Sequence, residues 1–123
     1  MSEAPLEFSL LIASDIPTRS FIADEVIFRE GHKGEELYVI KSGIVEIHGG
    51  QRVLAILKEG DFFGEMALID PAPRSASAIA KTDVQLIPIS EKQFTELVTE
   101  TPAFALDLLR ILVRRIRARD GHY

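Results

Sequence analysis

Phe63-Gly64-Glu65-Met66-Ala67-Leu68-Ile69-Asp70-Pro71-Ala72-Pro73-Arg74-Ser75-Ala76 is the segment around which the rest of the chain is organised. It joins a glycine, one acid and a short apolar run to two prolines, an arginine, a hydroxyl and a small residue. Gly64 lets the backbone approach a ligand closely, and Glu65 to Ile69 can form a single helical turn whose first amide protons point outward. Such amides suit a phosphate. Pro71 and Pro73 fix backbone angles and lower the entropy of the loop before folding, so that Arg74 can return over the same helix start. Arg74 then supplies a planar fork of donors, Ser75 a hydroxyl, and Ala76 an amide that no bulky side chain obstructs. Glu65 would repel a phosphate unless it has another task, and accepting hydrogen bonds from a sugar hydroxyl is such a task.

Upstream of this segment the chain reads as short strands. Residues 1 to 17, with Leu6, Phe8, Leu10, Leu11 and Ile12, suggest a short strand or docking arm. Arg19 to Arg29 suggests strand, turn, strand, and Glu30-Gly31-His32-Lys33-Gly34 a polar turn. Leu37 to Ile40, Ile44 to Ile47 and Val53 to Leu57 are β-rich runs separated by Ser42-Gly43 and by Gly49-Gly50, the latter a two-residue hairpin signal. Downstream, Ala76 to Ala80 and Val84 to Ile89 give two more strands around Lys81-Thr82-Asp83. About eight strands with glycine turns imply a β-roll or jelly roll.

The period then changes. Ser90 with Gln93 forms a capping box that opens a helix over Glu91 to Thr99, and Thr101-Pro102 offers an N-cap and an N1 proline for a second helix. Leu106, Leu109, Leu112 or Val113, and Ile116 repeat at helical spacing, with Arg110, Arg114 and Arg117 on the other side. Gly121 is a plausible stop. The fold class expected is therefore α+β, mainly β: an eight-stranded β-roll with a short helix in the central segment and two C-terminal helices. It forms a single domain over 1–123, with the roll over about 19–89 and the helices over about 91–119.

Composition excludes several classes. The 123 residues suit one core, and 46% hydrophobic with 27% charged residues describe an ordinary globular chain without an apolar run long enough to span a bilayer. No secretory leader is expected. The lack of cysteine rules out disulfides, thiolate catalysis and cysteine-ligated zinc, and leans toward a cytoplasmic address. A net charge of −5 argues against nucleic acid as the main partner and requires that an anionic ligand find a locally positive pocket. Arg110, Arg114, Arg115, Arg117 and Arg119 crowd the last stretch, which reads first as a solvated helix face.

Gly64-Glu65 followed by Pro73-Arg74-Ser75-Ala76 resembles the phosphate-binding cassette of cyclic nucleotide-binding domains. These are the ligand modules of the bacterial catabolite activator family, of cyclic-nucleotide-dependent kinases and of nucleotide-gated channels. Arg74 stands nine positions after Glu65, the spacing of the kinase and channel branches. The resemblance extends from about Phe21 to Arg119. It covers Glu25-Val26-Ile27-Phe28-Arg29-Glu30-Gly31, Gly34, Glu36-Leu37-Tyr38-Val39-Ile40 and Ser42-Gly43 as first hairpins, with Gly60-Asp61-Phe62-Phe63-Gly64 as the approach to the cassette.

The resemblance implies that Glu65 binds the ribose 2′-hydroxyl, that Arg74 pairs with the cyclic phosphate with help from Ser75, and that backbone amides of Gly64, Glu65, Met66 and Ala76 complete the cradle, with Ala67 beside them. Ile47, Leu54 and Leu57 match positions lining the base and sugar, although any β-roll needs such residues in its core. Arg115 matches the second member of an arginine pair on the family's long helix. The ordinary alternatives are a helix N-terminal carboxylate for Glu65, a surface salt bridge for Arg74 and a strand-start hydroxyl for Ser75. Four positions depart from the family pattern: Pro71 replaces a frequent glycine, Asp24 a turn glycine, and Arg119-Asp120 stand where the activator presents Thr-Ser to adenine. His32 and His48 lack the clustered motif of a metal-binding cupin, and no nucleophile or carboxylate pair has a catalytic setting.

The function implied is non-enzymatic: a module that takes cAMP, with cGMP as second candidate, as its ligand and needs no cofactor or metal. Binding would be relayed by the C-terminal helices. The alternative is a nucleotide-free roll that binds a protein partner or a second copy through the helix face around Leu109, Leu112 and Ile116. A DNA-binding regulator is disfavoured, because Tyr123 leaves no room for a helix-turn-helix after the long helix.

Overall fold

The computed structural model describes residues 16–70 and 72–117. The expected N-terminal arm, the loop path at Pro71 and the base-facing region at Arg119-Asp120 lie outside the described residues.

Among the described residues, eight short strands and three helices follow one another: β1 (Arg19–Phe21), β2 (Val26–Phe28), β3 (Glu36–Ser42), β4 (Val45–Gly49), β5 (Arg52–Leu57), β6 (Phe62–Phe63), α1 (Met66–Ile69), β7 (Ser77–Ala80), β8 (Val84–Ser90), α2 (Glu91–Glu100) and α3 (Pro102–Arg117). They pair antiparallel in two four-stranded sheets, ordered β1-β8-β3-β6 and β2-β7-β4-β5. This is the mainly-β roll with C-terminal helices that the sequence implied. The number of strands agrees, but the membership differs: Phe62–Phe63 counts as a strand, while the N-terminal arm lies outside the described part.

The burial pattern explains why the central residues of β3 and β8 are apolar. Leu37 and Val39 of β3, with Ile87 and Ile89 of β8 and Phe62 of β6, pack against Leu97 of α2 and Phe104, Leu108, Ile111 and Leu112 of α3. The alternate residues Tyr38, Ile40, Leu86 and Phe63 point the other way, into a second core with Val45, Ile47, Leu57, Ala78 and Ala80 of the facing sheet. A strand buried on both faces has no polar side to show. β4, by contrast, alternates: Val45 and Ile47 are buried, while Glu46 and His48 are half-buried and hydrogen-bonded to each other at 3.0 Å. Each fully buried Leu, Ile or Phe contributes about 1.5–3 kcal/mol of transfer free energy.

Local signals fix the ends of elements. Ser90 accepts from the Gln93 N–H while the Gln93 side chain accepts from the Ser90 N–H, so the expected capping box is present in both directions. Pro102 opens α3 as expected. Asp24 adopts φ +72°, so it does the work of the turn glycine it replaces; Asp tolerates this region better than most residues. Its N–H donates to Ala80 O at 2.7 Å, which ties the β1–β2 turn to β7.

Two expectations need correction. The β4–β5 hairpin turns on Gly50-Gln51 rather than Gly49-Gly50, because Gly49 pairs with Arg52 and only Gly50 has a positive φ, +62°. On α3, Leu112 is buried in the core beneath the helix, so the exposed face consists of Leu106, Leu109, Val113 and Ile116. Helical phase decides this: Leu112 follows Leu108 by one turn, and Leu108 already faces inward.

Candidate functional site

The single helical turn expected in the central segment is present over Met66–Ile69, and two arginines converge on its start. β6 delivers the chain to Gly64, which takes φ +77°, and Glu65 then stands at the N-cap of α1. The turn closes through Ala67 N–H to Gly64 O at 3.2 Å and Leu68 N–H to Glu65 O at 3.0 Å. Met66 and Ala67 are half-buried within that turn.

Arg74 is 8% exposed, which removes the surface salt bridge as an account of it. Its Nη1 donates to Gly64 O at 3.0 Å and its Nη2 to Glu36 O at 2.8 Å. The guanidinium lies over the Phe28 ring at 4.1 Å, with the Tyr38 ring at 5.8 Å. Backbone pairs hold the base of the side chain: Gly31 N–H donates to Arg74 O and Arg74 N–H to His32 O, both at 2.8 Å. Lys33 bridges to Pro73 alongside. Burial lowers the pKa of Arg74 from its ordinary value, opposed by Tyr38, Glu36 and Glu65 nearby. Each terminal nitrogen of a guanidinium carries two N–H groups, so the two carbonyls do not exhaust its donors.

The site depends on two missing side chains. A Cβ built on Gly34 would stand 2.1 Å from Arg74 Nε, and one on Gly64 would stand 2.7 Å from Arg74 Nη1. The guanidinium thus occupies the volume that side chains at both positions would fill. A cleft of about 370 Å³ opens here, lined by Phe28, His32, Lys33, Glu36, Tyr38 and Arg74 among others.

Glu65 is 1% exposed, so a solvated helix-end carboxylate does not describe it, and it makes no side-chain cap hydrogen bond. Arg115 of α3, 8% exposed, brings Nη1 to 3.7 Å from Glu65 Oε1, donates from Nη2 to Phe62 O, and lies over the Phe62 ring at 4.3 Å. Ser75 is exposed and Ala76 is buried. Ile47 and Leu57 lie in the core between the sheets, while Leu54 is 40% exposed and sits against Gly49 of the hairpin. Gly64, Glu65, Arg74 and Arg115 are therefore brought together, and Leu54 is an exposed residue of the edge strand β5. Phe28, Tyr38 and the carbonyl of Glu36 are site elements that were not singled out from the sequence; β3 is buried on both faces, so no alternation marks Tyr38 as a site residue.

Tyr38 is held at one end by Arg19, whose Nη1 reaches both the Tyr38 hydroxyl and Glu36 Oε1 at 3.2 Å. Burial raises the phenol pKa above its ordinary value, with Glu36 adding to the rise and Arg19 and Arg74 opposing it. Among the described residues no group of three or more His, Cys, Asp or Glu is placed to hold a metal ion. No helix among them is long and apolar enough to cross a membrane.

The profile of the cyclic nucleotide-binding domain family matches residues 18–101, more than half of the chain. The chain belongs to that family. Within it, the sequence is 38% identical over 122 residues to the cyclic AMP receptor protein of Thermus thermophilus, covering 95% of this chain and 56% of that protein. The crystal structure of the Thermus thermophilus catabolite activator protein is similar in fold, with a TM-score of 0.80 at 36% identity, covering 92% of this chain and 55% of that one. A second similar solved structure is described under the words "A cyclic-GMP-dependent signalling pathway regulates bacterial phytopathogenesis". Its TM-score is 0.80 at 28% identity, covering 95% of this chain and 98% of that one. The chain spans about half the length of the Thermus proteins it matches.

Proposed function

We propose that this chain is one non-enzymatic ligand-sensing unit that binds a cyclic nucleotide, cAMP in preference to cGMP, between Glu65 and Arg74, and relays occupancy through α3. The observation that carries the reading is the burial of Arg74 beside Gly64, held by two carbonyls with donors to spare, in the same turn as a buried Glu65. A cyclic phosphodiester pairs with the guanidinium in a charge-assisted bond, and the ribose hydroxyl donates to the carboxylate. Ser75, exposed beside Arg74, adds a hydroxyl.

The relay follows from the contact between Glu65 and Arg115. A sugar hydroxyl and the α3 guanidinium address one carboxylate, so occupancy changes what Arg115 gains there. The helix position with the higher ligand affinity then becomes the populated one. The names of the similar proteins support both nucleotides, with cyclic AMP on the more similar sequence.

Titration calorimetry with cAMP and with cGMP tests this. Saturable binding, tighter for cAMP and weakened at least about 100-fold in Arg74→Ala, is expected from the loss of a charge-assisted pair and its buried acceptors. Absence of binding by the wild-type chain refutes it.

A second reading, interaction through the helix, is favoured by the exposed stripe Leu106, Leu109, Val113 and Ile116, flanked by Arg110, Arg114 and Arg117. Its three-and-four spacing suits a second helix. Light scattering of the wild type against Leu109→Glu decides it: a mass that falls to the monomer only in the variant supports association.

A further inference from the structure

The side chain beneath Arg74 comes from a strand that would not aim it there if it were regular. β2 pairs Val26 with Ile79 and Phe28 with Ala78, so two steps on β2 match one step on β7. In an unbroken strand Val26 and Phe28 share a face. The bulge between them sends Phe28 to the face of Ala78, which is fully buried, while Val26 stays opposite the half-exposed Ile79. Bulges re-aim side chains in this way.

Once turned inward, Phe28 meets Tyr38 at 6.1 Å in a stacked arrangement and Phe63 at 5.8 Å, and those two rings meet each other at 5.4 Å. Three strands thus contribute one ring each to a platform, and its Phe28 face carries the Arg74 guanidinium at 4.1 Å. Gly64 O and Glu36 O hold the two terminal nitrogens at the edge of the guanidinium plane, which leaves the plane itself to be supported by a ring. A long side chain fixed on both face and edge gives up little rotamer freedom when it receives an anion.

We propose that Phe28 is a positioning residue for Arg74 and thereby sets the affinity for the phosphate of the bound nucleotide. The proposal rests on the reading that Arg74 receives that phosphate. Phe28 also lines the cleft, and the contribution proposed for it is to orient the guanidinium in advance.

The test measures cAMP affinity by calorimetry in Phe28→Met, which fills the space without a π face, and in Phe28→Tyr, which restores one. Each is made in the wild-type and in the Arg74→Gln background, with thermal melts alongside. The loss of a desolvated cation–π stack predicts roughly 10- to 30-fold weaker binding for Phe28→Met. Phe28→Tyr should stay within about 3-fold of wild type, and in Arg74→Gln the penalty of Phe28→Met should shrink to under about 2-fold. The Arg74 Nε–H resonance of the ligand-free protein, displaced by the ring, should move in Phe28→Met and stay in Phe28→Tyr. Equal affinity in Phe28→Met, a penalty that persists at full size in Arg74→Gln, or failure of Phe28→Tyr to restore binding overturns the proposal. If the wild type takes up neither cAMP nor cGMP, the functional reading itself fails and the affinity claim falls with it. An unmoved Nε–H resonance in Phe28→Met would show, independently of any ligand, that the platform does not hold Arg74.

Discussion

Arg115, on the last helix, sets its guanidinium 3.7 Å from the Glu65 carboxylate, and both side chains are buried. A residue of the helical layer therefore lies in contact with the acid at the start of the α1 turn. Neutral replacement of either partner leaves the other charge in a site with little water. The expected result for Arg115→Met is a loss of about 3 kcal/mol in unfolding free energy, read from urea denaturation. A loss under about 0.5 kcal/mol would mean that the contact carries no weight.

Gly34 is the second place where a small change should be informative. An added methyl at this position would stand 2.1 Å from Arg74 Nε, the outer part of a flexible side chain. The guanidinium should yield before the backbone does. Gly34→Ala should thus cost only about 1–2 kcal/mol of stability yet weaken cyclic nucleotide binding by more than about 10-fold. Paired calorimetry and denaturation measure both, and intact affinity would show that Arg74 is not confined.

Tyr38 predicts an alkaline limb in stability. Its phenol pKa is raised above 10.0 in the folded protein, chiefly by burial. The folded state therefore holds the proton longer than the unfolded chain does. The stabilisation is complete below the unfolded value and is lost as pH rises through the folded one. Denaturation at rising pH should show stability falling above about pH 10, with a shallower fall in Tyr38→Phe. Identical slopes would remove Tyr38 from the account.

Ser90→Ala should lower stability by about 1 kcal/mol, since the hydroxyl that accepts from the Gln93 N–H is lost while the backbone N–H at 90 still donates to Gln93, and should leave nucleotide affinity unchanged. The variant serves as a control: Ser90 pairs with Glu36, whose carbonyl holds Arg74, but it does so through the backbone, so loss of the hydroxyl alone should leave that carbonyl in place. Chemical denaturation beside titration checks it.

Much of this architecture was legible because it is local. Gly64 and Glu65 announce a helical turn, and Arg74 its return to that turn, through residue type and spacing, and Ser90 with Gln93 announces a helix start in the same manner. The strand runs were readable because β-rich stretches end at glycines. What could not be read is what depends on pairing. Phe62 and Phe63 are too short a run to register as a strand, and they become one only by pairing with Val39 and Tyr38. The hairpin shifted by one residue because the ladder between β4 and β5 chooses which glycine lies in the turn. Phe28 escaped notice for a related reason: a bulge is a mismatch between two strands, and neither strand alone contains it. Leu112 and Val113 are adjacent, and only the layer beneath α3 decides which of them turns inward.

Phe62 and Phe63 share a peptide bond yet belong to separate interiors, one beneath the helices and one inside the roll. Adding or deleting a single residue just ahead of Gly64 would exchange the two rings and spoil both interiors at once. The Gly50-Gln51 turn has no such bookkeeping to respect. Length variation in this chain should accordingly accumulate at the hairpin tip, while the short approach to Gly64 keeps a fixed residue count.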